Sequence, residues 1–162
     1  MATVLTLVSK DGDERQVDEF ILTMSNFLKG ASEFEDVDNE YHLMLCNAKH
    51  LDWIIEWVDL QKTRFDEGRE KVLINNASQE FDDSEKEFME KLNFYDKLDL
   101  FKIVRFLEME CLKDALCTTL ADMVRSKTSE EIKKIWKIED EEWGLTTHIS
   151  WPNHIVLMYF IN

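Results

Sequence analysis

The chain has 162 residues, with 34 acidic side chains against 19 basic ones and a net charge of −15 at pH 7. That balance excludes direct binding to nucleic-acid phosphates or to an anionic membrane surface, since both depend on clustered Lys and Arg. A hydrophobic fraction of 44% with five Trp and ten Phe excludes a disordered acidic tail, and one Pro with four Gly argues for long helices over a turn-rich all-β architecture.

Length points to one domain with a small appendage. At the N-terminus, no basic region precedes a long apolar stretch, so a signal peptide is not expected. Residues 3–8 (T-V-L-T-L-V) are rich in β-branched side chains and predict a strand. Asp11-Gly12 follows, a hairpin signal, with the return strand over residues 14–18. Residues 20–28 predict one short apolar helix ending near Gly30 as its C′ residue. An acidic loop with five carboxylates spans residues 33–40, and residues 41–45 predict a third extended segment.

Helical signals dominate the rest. Asn47 is a candidate N-cap, and Leu51, Ile54, Ile55 and Val58 fall at i, i+3, i+4, i+7 on one face, with Trp53 and Trp57 on a neighbouring one. Periodicity is lost over residues 63–83, which read as a loop or linker. Ser84 with Glu87 matches a capping box opening a helix through Phe88 and Leu92. Further apolar stripes are Leu100, Ile103, Val104 and Leu107, then Leu112, Leu116, Leu120, Met123 and Val124. Thr128 with Glu131 forms a second capping box, ahead of Ile132, Ile135 and Trp136. The fold class is α/β (α+β): three short strands with interleaved helices, then a purely helical second half.

Little in the sequence points to catalysis. Cys46, Cys111 and Cys117 are odd in number, widely spaced and without a C-x-x-C, so reduced thiols are expected, not a disulfide framework or a zinc site. His42, His50, His148 and His154 show no metal-ligand spacing and read as solvated or singly bonded. Gly12, Gly30, Gly68 and Gly144 are too scattered to build a phosphate cradle. No enzyme activity, cofactor or metal is expected. The C-terminal apolar run, residues 155–161, is too short to cross a bilayer, which takes roughly 20 residues. Trp136, Ile138, Trp143 and Trp151 lead into it, and these side chains suit either the chain's own core or a protein partner.

Several segments resemble a known family. Val8-Ser9-Lys10-Asp11-Gly12 followed by Val17, and Asn47-Ala48 leading into Ile54-Ile55-Glu56-Trp57, are similar to the POZ half of the Skp-one family. Members of that family hold F-box proteins in cullin-based ubiquitin ligases. Residues 103–121 (I-V-R-F-L-E-M-E-C-L-K-D-A-L-C-T-T-L-A) resemble its helical core. Residues 123–138 (M-V-R-S-K-T-S-E-E-I-K-K-I-W-K-I) resemble its M-I-K-G-K-T-P-E-E-I-R-K block and are the most specific match.

The resemblance implies a POZ (BTB-like) core over residues 1–62 and 84–124, an acidic loop or linker over 63–83, and C-terminal F-box-binding helices with a divergent apolar tail over 125–162. It implies a non-catalytic adaptor that binds F-box proteins and links them to a cullin, located in the cytoplasm or nucleus. The implied F-box-binding residues are Leu116, Cys117, Leu120, Val124, Ile132, Ile135, Trp136, Ile138 and Trp143. The family's cullin-facing Asn-Tyr pair reads Arg105-Phe106 here, which keeps the ring, loses a hydroxyl and gains a charge. Ser129 replaces the family's proline, removing the acceptor for the prolyl hydroxylation known in some members. The competing expectation is a cullin-independent scaffold that forms a homo-oligomer through the POZ core.

The acidity is unevenly placed. Residues 1–62 carry 13 acids against 5 bases, residues 63–96 carry 10 against 5, and residues 97–162 carry 11 against 9. The nearly neutral, apolar-rich C-terminal part is the one suited to protein contact.

Overall fold

The fold is described from a computed structural model covering residues 4–33, 39–68, 81–125 and 127–136. It forms two compact units, Met1–Cys117 and Thr118–Asn162, with the boundary inside a helix. The elements run β1 (Val4–Ser9), β2 (Glu14–Asp18), α1 (Ile21–Met24), α2 (Asn26–Ser32), β3 (Glu40–Leu43), α3 (Ala48–Asp66), α4 (Asp83–Lys91), α5 (Phe94–Phe106), α6 (Glu110–Arg125) and α7 (Ser129–Trp136). This is the expected α+β architecture.

β1 is the middle strand of the sheet, in the order β2-β1-β3. β2 returns antiparallel with Val4 opposite Asp18 and Val8 opposite Glu14, while β3 runs parallel with Thr6 opposite Glu40 and Ser9 opposite Leu43. The hairpin turn needs Gly12, whose φ of +84° lies in the left-handed region open to glycine. Ser9 Oγ holds the same turn by accepting from the Asp11 and Asp13 N–H groups at 3.2 and 3.1 Å. Alternation along β1 buries Leu5 and Leu7 with their cross-strand partners Val17 and Tyr41.

Residues 20–28 do not form the single expected helix. The chain breaks at Ser25, which is extended (φ −121°, ψ 109°) and caps α2 by accepting from the Leu28 N–H. Its hydroxyl also donates to the Leu107 carbonyl at 2.5 Å, so a tertiary bond competes with helix continuation. Gly30 lies inside α2 and is not a C′ residue; the C-cap is Glu33.

Asn47 caps α3 as expected, and the buried face of that helix is Leu51, Ile54, Trp57 and Val58. Trp57 therefore belongs to the core, 5.3 Å from the Phe88 ring, while Ile55 and Trp53 are half-buried. Lys49 Nζ stands 4.5 Å over the Trp53 ring and pairs with Asp96 at 2.8 Å.

Helix α3 runs on to Asp66, past residue 63, where a loop or linker is expected. The cause is Arg64, which is buried and reaches Glu85 Oε1 at 2.5 Å and Asp82 Oδ2 at 3.2 Å. Gln61 also donates to Glu85 Oε1, at 3.0 Å. The capping box expected at Ser84 is likewise shifted. It is formed by Asp82 and Glu85, not Ser84 and Glu87, with Glu85 N–H donating to Asp82 Oδ1 at 2.9 Å and Asp82 N–H to Glu85 Oε2 at 3.0 Å. Leu92 is the C-cap of α4, and the buried ammonium of Lys97 donates to its carbonyl.

An acid-sensitive tie joins β2 to α3. Lys62 Nζ donates to Asp18 Oδ2, and Phe20 N–H donates to Asp18 Oδ1 at 2.9 Å. The lysine first, then the Phe20 N–H, holds the Asp18 carboxyl below its ordinary 3.8. A depressed carboxyl stabilises the fold above its unfolded value and loses that contribution as pH falls through the folded one. The expected result is that the Asp18→Asn variant shows a shallower loss of stability than the parent as pH falls below 3.8, measured by urea unfolding at a series of acidic pH values.

Candidate functional site

The α5 helix presents the first expected partner-facing pair. Asn93 caps it by accepting from the Asp96 N–H at 3.0 Å, and Leu98, Leu100, Phe101, Ile103 and Val104 turn into the core. Arg105 and Phe106 fall outside that stripe: Arg105 is exposed and Phe106 is 41% exposed. The helix then stops sharply. Leu107 N–H donates to the Ile103 carbonyl at 2.9 Å, Glu108 takes a φ of +52°, and Met109 N–H returns to Val104 O at 3.0 Å.

The same corner is fixed from α2. Ser25 holds the Leu107 carbonyl, and Asn26 N–H donates to the Glu108 carbonyl at 3.4 Å. Phe27 then lies beside Phe106, with ring centroids 4.6 Å apart and planes tilted by 45°. Phe27 is itself 37% exposed. The sequence reading missed it, because one continuous helix over residues 20–28 gives no reason to separate Phe27 from the core. The break at Ser25 rotates it outward.

On α6 the expected residues divide. Leu112, Leu116 and Leu120 recur every four residues and make one buried stripe. Leu116 is 0% exposed and Leu120 2%, so both are packed within this chain. Cys117, Met123 and Val124 are half-buried. Burial first, and then Asp114, pushes the Cys117 thiol above its ordinary 9.0, with Lys113 and Arg105 partly opposing. Cys117 is therefore a neutral, weakly polar surface group at pH 7. Cys46 is buried and pushed up to about 11 by desolvation. All three cysteines are free thiols.

In the second unit, Lys127 N–H donates to the Val124 carbonyl at 3.0 Å, and α7 opens on the expected capping box. Glu131 Oε2 accepts from Thr128 N–H at 2.8 Å, and Thr128 Oγ1 accepts from Glu131 N–H at 3.3 Å. The Thr128 N–H first, then its hydroxyl, which donates to Glu131 Oε2 at 3.1 Å, hold the Glu131 carboxyl below its ordinary 4.5. Ile132 is half-buried, and Ile135 and Trp136 follow it at helical spacing along α7. Ile138 and Trp143 lie outside the described residues.

Among the described residues, no group of three or more His, Cys, Asp or Glu side chains is placed to hold a metal ion. No described helix is long and apolar enough to cross a membrane. His42 meets Glu40 at 2.9 Å on the surface. The arrangement offers two kinds of contact surface: an aromatic corner at the end of α5, and half-exposed apolar positions along α6 and α7.

Comparison with known proteins falls on the same segments. Residues 110–142 match the family model described as "Skp1 family, dimerisation domain". The chain is 26% identical over 137 residues to SKP1-like protein 14 of Arabidopsis thaliana, covering 85% of each. It is 27% identical over 143 residues to the E3 ubiquitin ligase complex SCF subunit sconC of Aspergillus fumigatus, covering 86% of this chain and 88% of that protein. SKP1-like protein 1 of Oryza sativa subsp. japonica is 27% identical over 148 residues, covering 85% of each.

Proposed function

We infer that the chain, which is similar to the Skp1 family over residues 110–142 and to SKP1-like and SCF-subunit relatives over most of its length, is a non-catalytic adaptor subunit of an SCF-type ubiquitin ligase, holding an F-box protein and joining it to a cullin. The observation that carries this reading is the segment 110–142. It matches the family model and folds as α6 followed by a capped α7, with Cys117, Val124 and Ile132 partly open to solvent. These three, with Ile135, Trp136, Ile138 and Trp143, are the proposed F-box contacts. Leu116 and Leu120, on the same helix as Cys117 and Val124, are buried within the chain itself. An amphipathic face closed by helices of another chain is a recurrent recognition mode.

Arg105 and Phe106 form the proposed cullin-facing pair. Phe106, exposed beside Phe27, is the proposed apolar anchor of the pair. The proposed location is the cytoplasm or nucleus, where cysteines remain reduced. A pull-down from cell extract with the full chain as bait tests the reading. F-box proteins and a cullin should arrive together, and Phe106→Ala should lose the cullin while keeping the F-box proteins. Recovery of neither class contradicts the adaptor role.

A second reading, a self-associating scaffold, rests on the description of the matched segment as a dimerisation domain. Light scattering separates the two. A stable homo-oligomer that excludes an F-box peptide favours the scaffold, and a monomer or dimer that yields to the peptide favours the adaptor.

A further inference from the structure

One histidine does something its sequence context did not suggest. At the start of α3, the Asn47 side chain accepts from the His50 N–H at 3.0 Å, and the Asn47 N–H donates back to His50 Nδ1 at 3.3 Å. This is a capping box with histidine in the position normally filled by Glu or Gln. Those residues can accept a bond throughout the neutral range. An imidazole can accept at Nδ1 only while that nitrogen carries no proton.

We propose that His50 is a proton-operated latch on the first turn of α3: neutral, it closes the capping box on Asn47, and protonated, it releases that bond and loosens the β3–α3 connection. Three physical terms act in the same direction. Protonation removes the acceptor. It places a cation at a helix N-terminus, where the helix dipole opposes it. It also charges a half-buried ring, which burial disfavours.

The charged groups around His50 come from three places and act in opposite directions. Asp96 and Asp99 on α5 favour the imidazolium, while Lys10 at the hairpin turn and Lys49 on α3 itself oppose it. Lys49 is held between Asp96 and the Trp53 ring, so its charge is fixed near the latch. Burial is the largest influence and sets the direction, holding His50 below its ordinary 6.5. The latch therefore stays closed at neutral pH and opens on acidification.

What the latch controls is the connection carrying Met44 and Leu45, which are 70% and 55% exposed. That segment has two further ties. Cys46 N–H donates to Leu43 O at 2.9 Å, and the Cys46 carbonyl accepts from Lys10 N–H at 2.8 Å. With the box open, the segment keeps its ties to β3 and the hairpin and the Asn47 bonds to the His50 and Leu51 N–H groups, and loses the return bond to His50 Nδ1. The consequence is a local, reversible change of one apolar surface segment, with the sheet intact.

The test is amide hydrogen exchange and imidazole titration by NMR on the full chain, with rates corrected for the intrinsic pH dependence of exchange. In the parent, Asn47 amide protection should fall about fivefold between pH 7.5 and pH 5, in the range of an ordinary helix cap. Its midpoint should coincide with the His50 titration, below 6.5. His50→Gln, which keeps an acceptor at the same position, should retain protection and show no step. His50→Ala should give low protection at both pH values. An Asn47 amide that ignores the His50 titration overturns the proposal, as does an equal step in His50→Gln.

Discussion

Replacing Arg64 by methionine should lower unfolding stability by about 3–5 kcal/mol, the usual cost of removing one partner of a buried ion pair. The guanidinium is 7% exposed and Glu85 2% exposed, so the loss leaves a carboxylate buried without its cation. Asp82 and Gln61 also converge on this centre, and the Asp82–Glu85 capping box opens α4 from the same side. Arg64 thus ties the last turn of α3 to the first turn of α4, on either side of residues 69–80. Replacing both Arg64 and Glu85 by apolar residues of similar volume should cost much less than Arg64→Met alone, because no orphaned charge then remains. Chemical denaturation of the two single variants and the double variant gives the coupling directly. A single-variant loss below about 1 kcal/mol would mean that the pair behaves as a solvent-screened one.

Leu120→Ala should cost about 2–5 kcal/mol of stability, as removal of a fully packed leucine does elsewhere. Leu120→Glu should cost more, since it buries a carboxylate in the same place. Val124→Glu, one helical turn further on, changes a half-exposed position and should leave the unfolding midpoint close to that of the parent. In binding to an F-box peptide the order reverses. Val124→Glu should weaken association at least tenfold, while Leu120→Ala should bind with near-parent affinity once the folded fraction is taken into account. Calorimetric titration beside a denaturation curve for each variant separates the two effects. Equal loss of stability in both variants would contradict the assignment of Leu120 to the core and Val124 to the surface.

The parts of the fold that sequence made legible are those written in local chemistry. The Asp11-Gly12 hairpin, the Asn47 cap and the Thr128–Glu131 capping box each follow from side chains bonding to backbone within four residues. What escaped was set by distant partners. Ser25 breaks a helix because the Leu107 carbonyl, 82 positions away, takes its hydroxyl. The extension of α3 to Asp66 depends on Glu85 and Asp82, so the high charge of that stretch read as a linker when one of its arginines is buried.

The candidate site shows the same division. Helical spacing identified Leu116, Leu120 and Val124 as one apolar run, but periodicity gives a stripe without saying what covers it. Burial sorts that run into two packed leucines and a half-open valine. Phe27 escaped because its exposure depends on the Ser25 break, and the role of His50 because the capping box is usually recognised by Glu or Gln. The charge asymmetry of the sequence fits the proposed use of the chain. Residues 1–62 hold most of the excess acid, whereas the α6–α7 half is nearly neutral and better suited to burying against another protein.

Reconstitution from purified parts tests the proposed bridging of an F-box protein and a cullin most directly. The full chain, an F-box peptide and a cullin N-terminal domain are mixed and passed over a sizing column with in-line light scattering. The account predicts one peak whose mass equals one copy of each, reduced to chain plus peptide by Phe106→Ala and to chain plus cullin by Val124→Glu. Elution of the chain free of both proteins, or as a homo-oligomer that admits neither, would contradict it.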